Sequence, residues 1–145
     1  MICRKPVLVG EMNPYGADPD YALYPAPDGC SGHRLCCLIL GMQRRHYLDS
    51  FDRVNLCDGK WSIKAARIKA TELWASGRRF ILLGSKVCYA WGIPFTPFIF
   101  SDNGNCVVLP HPSGLCRLWN EVGVIAKARE VVSQIAPELA GKIAK

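Results

Sequence analysis

Residues 7–16 read V-L-V-G-E-M-N-P-Y-G, and residues 107–120 read V-V-L-P-H-P-S-G-L-C-R-L-W-N. Each opens as a short apolar run and then breaks abruptly into Gly, Pro, Asn, His or Ser. Runs that are apolar at successive positions mark strands buried on both faces, as in a parallel sheet with helices on either side. The first run predicts a strand over 6–10 and the second a strand over 106–110. R-F-I-L-L-G (79–84) shares the character, and F-D-R-V-N-L-C (51–57), more mixed, reads as a further strand.

Between these strands lie helical patterns. Ser31 is placed to cap a helix whose apolar side is Leu35, Leu38 and Ile39. Ser62 starts a second helix with Ala66, Ala70, Leu73 and Trp74 on one face, ending near Gly77. Ser85–Trp91 forms a short helix, and Asn120 to Ile135 a final amphipathic one with Val122, Ile125, Val132 and Ile135 inward. Strands alternating with helices predict an α/β fold, a three-layer αβα sandwich around a central four-stranded, mainly parallel sheet. In such sheets ligands bind at the carboxyl ends of the strands. Both opening loops fall at that edge, and so does Asn55, near the end of the second strand.

A chain of 145 residues fits a single domain, 1–145, large enough to bury a core without disulfide or metal support. No apolar run reaches the length of a membrane span. The N-terminal M-I-C-R-K-P leads into a strand without the apolar region of a signal peptide, so a cytoplasmic protein is expected. The net charge of +6 favours a polyanionic partner. Eight cysteines are present, with no C-x-x-C, and Cys36-Cys37 are adjacent, which is poor geometry for one tetrahedral zinc. They read as mostly reduced core thiols, with Cys37, Cys88 and Cys106 inside apolar segments.

The loop residues carry the chemistry. Asn13 does not ionise near neutral pH, but its amide can position a water or a substrate. Pro14 stiffens the backbone after it, while Gly10 and Gly16 allow close approach. His111, held between Pro110 and Pro112, can donate one hydrogen bond from a neutral imidazole to an oxygen that gains charge. Ser113 and the backbone amides after it suit a phosphate. No Gly-rich nucleotide fingerprint such as G-x-G-x-x-G appears, which argues against an unrelated nucleotide-binding domain.

The pair G-E-M-N-P-Y-G (10–16) and H-P-S-G-L-C-R-L-W-N (111–120) resembles the two signature loops of the uracil-DNA glycosylase superfamily. The first loop looks like a hybrid, joining the N-P and P-Y forms found in different branches. The resemblance implies a monofunctional glycosylase that hydrolyses the N-glycosidic bond of uracil, or a related damaged or modified base, in base excision repair. It implies that Asn13 positions the water and His111 stabilises the departing base. Asn55 would read the base edge, with Tyr24 stacking on the base and Tyr21 competing for that role. Tyr15 would wall off the C5 position. Ser113 would hold a backbone phosphate, and the loop through Gly114, Leu115 and Arg117 would enter the DNA beside the extruded nucleotide. One extra residue separates Gly10 from the N-P pair, so Glu11 is a second candidate for the water. The paired-cysteine signature of the iron–sulfur branches is missing, so no cofactor is expected. The partner would be DNA, single- or double-stranded, bound by a monomer. The short chain leaves little room for clamping loops, which favours weak duplex binding or single strands. A different or hypermodified base, or a catalytically silent base-binding module, are the alternatives.

Overall fold

The computed structural model describes residues 4–12 and 18–145. In chain order the elements are β1 (Val7–Met12), α1 (Ser31–His33) running into a π-helical segment (Arg34–Ile39), α2 (Arg44–Ser50), β2 (Asp52–Cys57) and α3 (Ile63–Ala75). There follow β3 (Phe80–Leu83), α4 (Ser85–Trp91), β4 (Phe100–Ser101), β5 (Cys106–Leu109) and α5 (Val124–Ile135). The strands form one sheet in the order β2-β1-β3-β5-β4, parallel except for the β4–β5 pair.

The alternation of side chains along a strand explains the layers. Leu8, Ile81, Leu83, Val107 and Leu109 join one core with the π-helical segment, α2 and α5. Val7, Val9, Phe80, Leu82, Cys106 and Val108 join a second core with α3 and α4. The registers Leu8↔Ile81 and Ile81↔Val107 keep like faces aligned across the strands. All four residues of β3 and all four of β5 are buried, which is why these strands read as unbroken apolar runs.

The sheet has five strands, where four were expected. Two residues of β4 are too few to leave any periodicity in the sequence, and the strand exists only through its hairpin with β5, in the register Phe100↔Val107. The last helix begins at Val124, not Asn120, because Gly123 adopts φ +85° and a 3₁₀ turn (Arg117–Asn120) precedes it. Val122, expected inward, is therefore fully exposed. Leu35 and Ile39 are buried as expected, but Leu38 is exposed, since the wider π-helical turn brings Cys36 inward in its place. Trp74 also points outward, and α3 meets the sheet through Ala66 and Ala70. Ser62 caps α3 as expected, accepting from the Ala65 amide at 3.3 Å. At α1 it is Cys30, not Ser31, whose side chain accepts from the helix, at the His33 amide.

Burial pushes the Cys36 and Cys88 thiols up to about 12 and Cys106 up to about 11, so all three are protonated at neutral pH. Among the described residues no helix is long and apolar enough to cross a membrane.

Candidate functional site

The carboxyl ends of β1, β2, β3 and β5 open into a cavity of about 230 Å³, lined among others by Glu11, Tyr24, Asn55, Leu83 and His111. That is below the range of about 300–1,000 Å³ typical for drug-sized ligands and fits one small planar ring. Four of the residues singled out in the sequence thus meet in one place.

The floor is set by the β1–β2 ladder, where Gly10 lies opposite Asn55. A Cβ on Gly10 would stand 2.5 Å from Asn55 Oδ1 and 3.4 Å from the Leu23 methyls. Glycine therefore makes the room that the carboxamide occupies. Among the described residues Asn55 has no side-chain hydrogen-bond partner, which leaves both its donor and its acceptor for a ligand.

Two residues before Asn55, on the same side of the strand, Arg53 anchors the aromatic wall. Its Nη1 donates to the carbonyls of Asp20 (3.2 Å) and Ala22 (2.8 Å), and its guanidinium lies 5.6 Å from the centre of the Tyr24 ring. Tyr21 and Tyr24 meet edge to face at 5.7 Å, and both line the cavity. The wall is held from behind by α2. The Tyr47 hydroxyl donates to Leu23 O at 2.7 Å, and Arg44 donates to Pro25 O and to Asp28. Burial pushes the Tyr47 phenol far above its ordinary range, so it remains a neutral donor. Gly32 completes the fit, because a Cβ there would fall 2.1 Å from Tyr24 O. Arg53, Arg44 and Tyr47 were missed in the sequence. Only the i, i+2 spacing of Arg53 and Asn55 hinted at a shared face.

His111 is fixed at three points. Its Nδ1 accepts from the Ser113 amide at 3.0 Å, so the proton of the neutral ring sits on Nε2. Its carbonyl accepts from Trp119 Nε1 at 2.7 Å. Gly84, at φ +93°, lies against the ring, and a Cβ there would be 3.2 Å from it. Nε2 lies 3.7 Å from Glu11 Oε1. Desolvation lowers the His111 pKa below the ordinary value, opposed by Glu11 and assisted by Lys86, which favours the neutral ring.

Ser113, Gly114, Leu115 and Arg117 follow the lining residue Pro112 in the chain and do not themselves line the cavity. Of the groups expected to hold a phosphate, two amides are already engaged within the loop. Ser113 N is used by His111 and Leu115 N by Ser113 Oγ (3.1 Å), which leaves the Ser113 hydroxyl proton and the Gly114 amide. Leu115 is 92% exposed and projects an apolar side chain into solvent. Asn13 and Tyr15 lie outside the described residues. No cluster of three His, Cys, Asp or Glu suited to a metal occurs among the described residues.

Comparison with protein-family models, with curated proteins and with solved structures finds no match for this chain.

Proposed function

We propose that this chain is a monofunctional DNA glycosylase with a uracil-DNA glycosylase-like fold, acting on uracil or a related damaged or modified base. One observation carries the reading. A neutral histidine with its donor on Nε2 shares a small cleft with an unpaired asparagine carboxamide and an anchored tyrosine pair.

The chemistry follows from these positions. A nucleotide is extruded at a cost of a few kcal/mol, least where the base is mismatched or unpaired. The base stacks on Tyr24 or Tyr21. Asn55 accepts from N3–H through Oδ1 and donates to O4 through Nδ2. As the bond from C1′ to the base lengthens, its electron pair passes to the base, and charge builds on O2. His111 Nε2–H donates there, in a water-poor site where a preorganised donor is worth most. Water adds to C1′ and loses its proton to the solvent or to Glu11, leaving an abasic site. Asn13 is a further candidate for orienting that water. On the loop after Pro112, Leu115 would wedge into the gap left by the base, with Ser113, Gly114 and Arg117 on the backbone.

The test is direct. Purified protein is incubated with oligonucleotides carrying a single uracil, single-stranded and duplex, and abasic sites are then cleaved with alkali. Cleavage at the uracil position that is lost with His111→Ala supports the proposal. Tight binding of the lesion strand with no cleavage would indicate a silent base-binding module instead.

A further inference from the structure

On the opposite face of the sheet, the same carboxyl edge carries a second and more open depression of about 460 Å³, lined by Trp61, Lys86, Tyr89 and Phe95 among others. Trp61 packs on the α3–α4 core. Tyr89 is 63% exposed and Phe95 39%. The Arg67 guanidinium lies 4.9 Å from the Tyr89 ring centre, and Lys86 Nζ lies 5.7 Å from that of Trp61. Lys60 and Lys64 flank them in the sequence. Among the described residues none of these four cations is in an ion pair with a carboxylate.

Aromatic rings alone would suit an apolar peptide. Uncompensated cations beside those rings suit a ligand that alternates planar rings with phosphates, and in a duplex the ring faces are hidden by stacking. Lys86, which lines this depression, follows by two residues Gly84, whose backbone packs against the His111 ring of the cleft. We infer that the groove binds single-stranded DNA, with nucleotides flanking the target stacked on Trp61 and Tyr89 and their phosphates held by Lys86 and Arg67. The inference rests on the glycosylase reading for the choice of DNA as the strand.

A fluorescein-labelled oligothymidylate of about a dozen residues, which contains no uracil, provides the probe. Binding is followed by anisotropy in low salt. Tyr89→Ala and Trp61→Ala are each expected to weaken it about ten-fold. Lys86→Gln and Arg67→Gln should each flatten the log–log salt dependence by about 0.7. Duplex of equal length should respond far less to Tyr89→Ala. Tyr89 and Arg67 lie on exposed helix surface, so their variants should fold even if Trp61→Ala does not. Wild-type affinity in both Tyr89→Ala and Arg67→Gln, or no binding by the wild type, would overturn the inference. If uracil is not excised but the ten-fold losses appear, the groove stands and the glycosylase reading falls. If uracil is excised while Tyr89→Ala binds the probe normally, the groove falls alone.

Discussion

Gly10 faces Asn55 across the β1–β2 ladder, and the Cβ it lacks would lie 2.5 Å from Asn55 Oδ1. The atom in the way is the end of a side chain, so Gly10→Ala should rotate the carboxamide and spare the sheet. The expected outcome is a melting temperature lowered by only a few degrees, for about 1 kcal/mol, with uracil excision slowed more than about ten-fold. Asn55→Asp should also lose uracil, because a carboxylate has no donor for O4. Thermal melts beside single-turnover excision test both.

His111→Ala should slow single-turnover excision about 100- to 1,000-fold while DNA affinity changes little. The sign of the pH effect follows from the lowered pKa. The neutral, donating ring persists as pH falls through the ordinary histidine value of about 6.5, so the acid limb of the rate should lie below it. Lys86→Gln removes a charge that lowers this pKa and should move the limb upward. A pH–rate profile decides.

Glu11 lies 3.7 Å from His111 Nε2, with only 20% of its side chain exposed. Glu11→Gln should slow excision about 100-fold if the carboxylate receives the water's proton. It should also shift the acid limb downward, since Glu11 raises the His111 pKa. A rate within two- to three-fold of wild type, roughly, would assign the water to Asn13 alone.

Tyr47→Phe removes the one side-chain donor to Leu23 O among the described residues, a bond of 2.7 Å made by a fully buried residue. Leu23 is only half-buried, so losing this bond should cost about 1 kcal/mol, near the net worth of an ordinary hydrogen bond. The expected result is a lower melting temperature together with weaker substrate binding, because the tyrosine-bearing loop loses an anchor. Denaturant melts and KM report the two effects.

The segments 6–10, 79–84 and 106–110 were legible as strands because burial on both faces leaves a nearly unbroken apolar run, a local signature, whereas 51–57 is the edge strand and carries Asp52, Arg53 and Asn55 among its apolar residues. Ser62 capping α3 and the span of α4 were local in the same sense. β4 was not legible, since two residues become a strand only when β5 supplies the partner. Val122, Leu38 and Trp74 misled because apolar character gives the period of a helix but not its phase. A glycine at φ +85°, a π-helical turn and an alanine stripe reset that phase.

In the candidate site, His111 on its loop, Asn55 on β2 and Glu11, which the structure places inside β1 and not on the loop after it, stood out in one dimension, because Gly, Pro, Asn and His at the end of an apolar run are unusual there. What only the tertiary structure decided is how they meet. The order β2-β1-β3-β5 brings strands distant in sequence to one edge. Tyr47, Arg44 and Arg53 hold the aromatic wall through backbone carbonyls, and a carbonyl acceptor has no residue type to read. The tautomer of His111 likewise depends on the Ser113 amide, a bond that any residue but proline at that position could make.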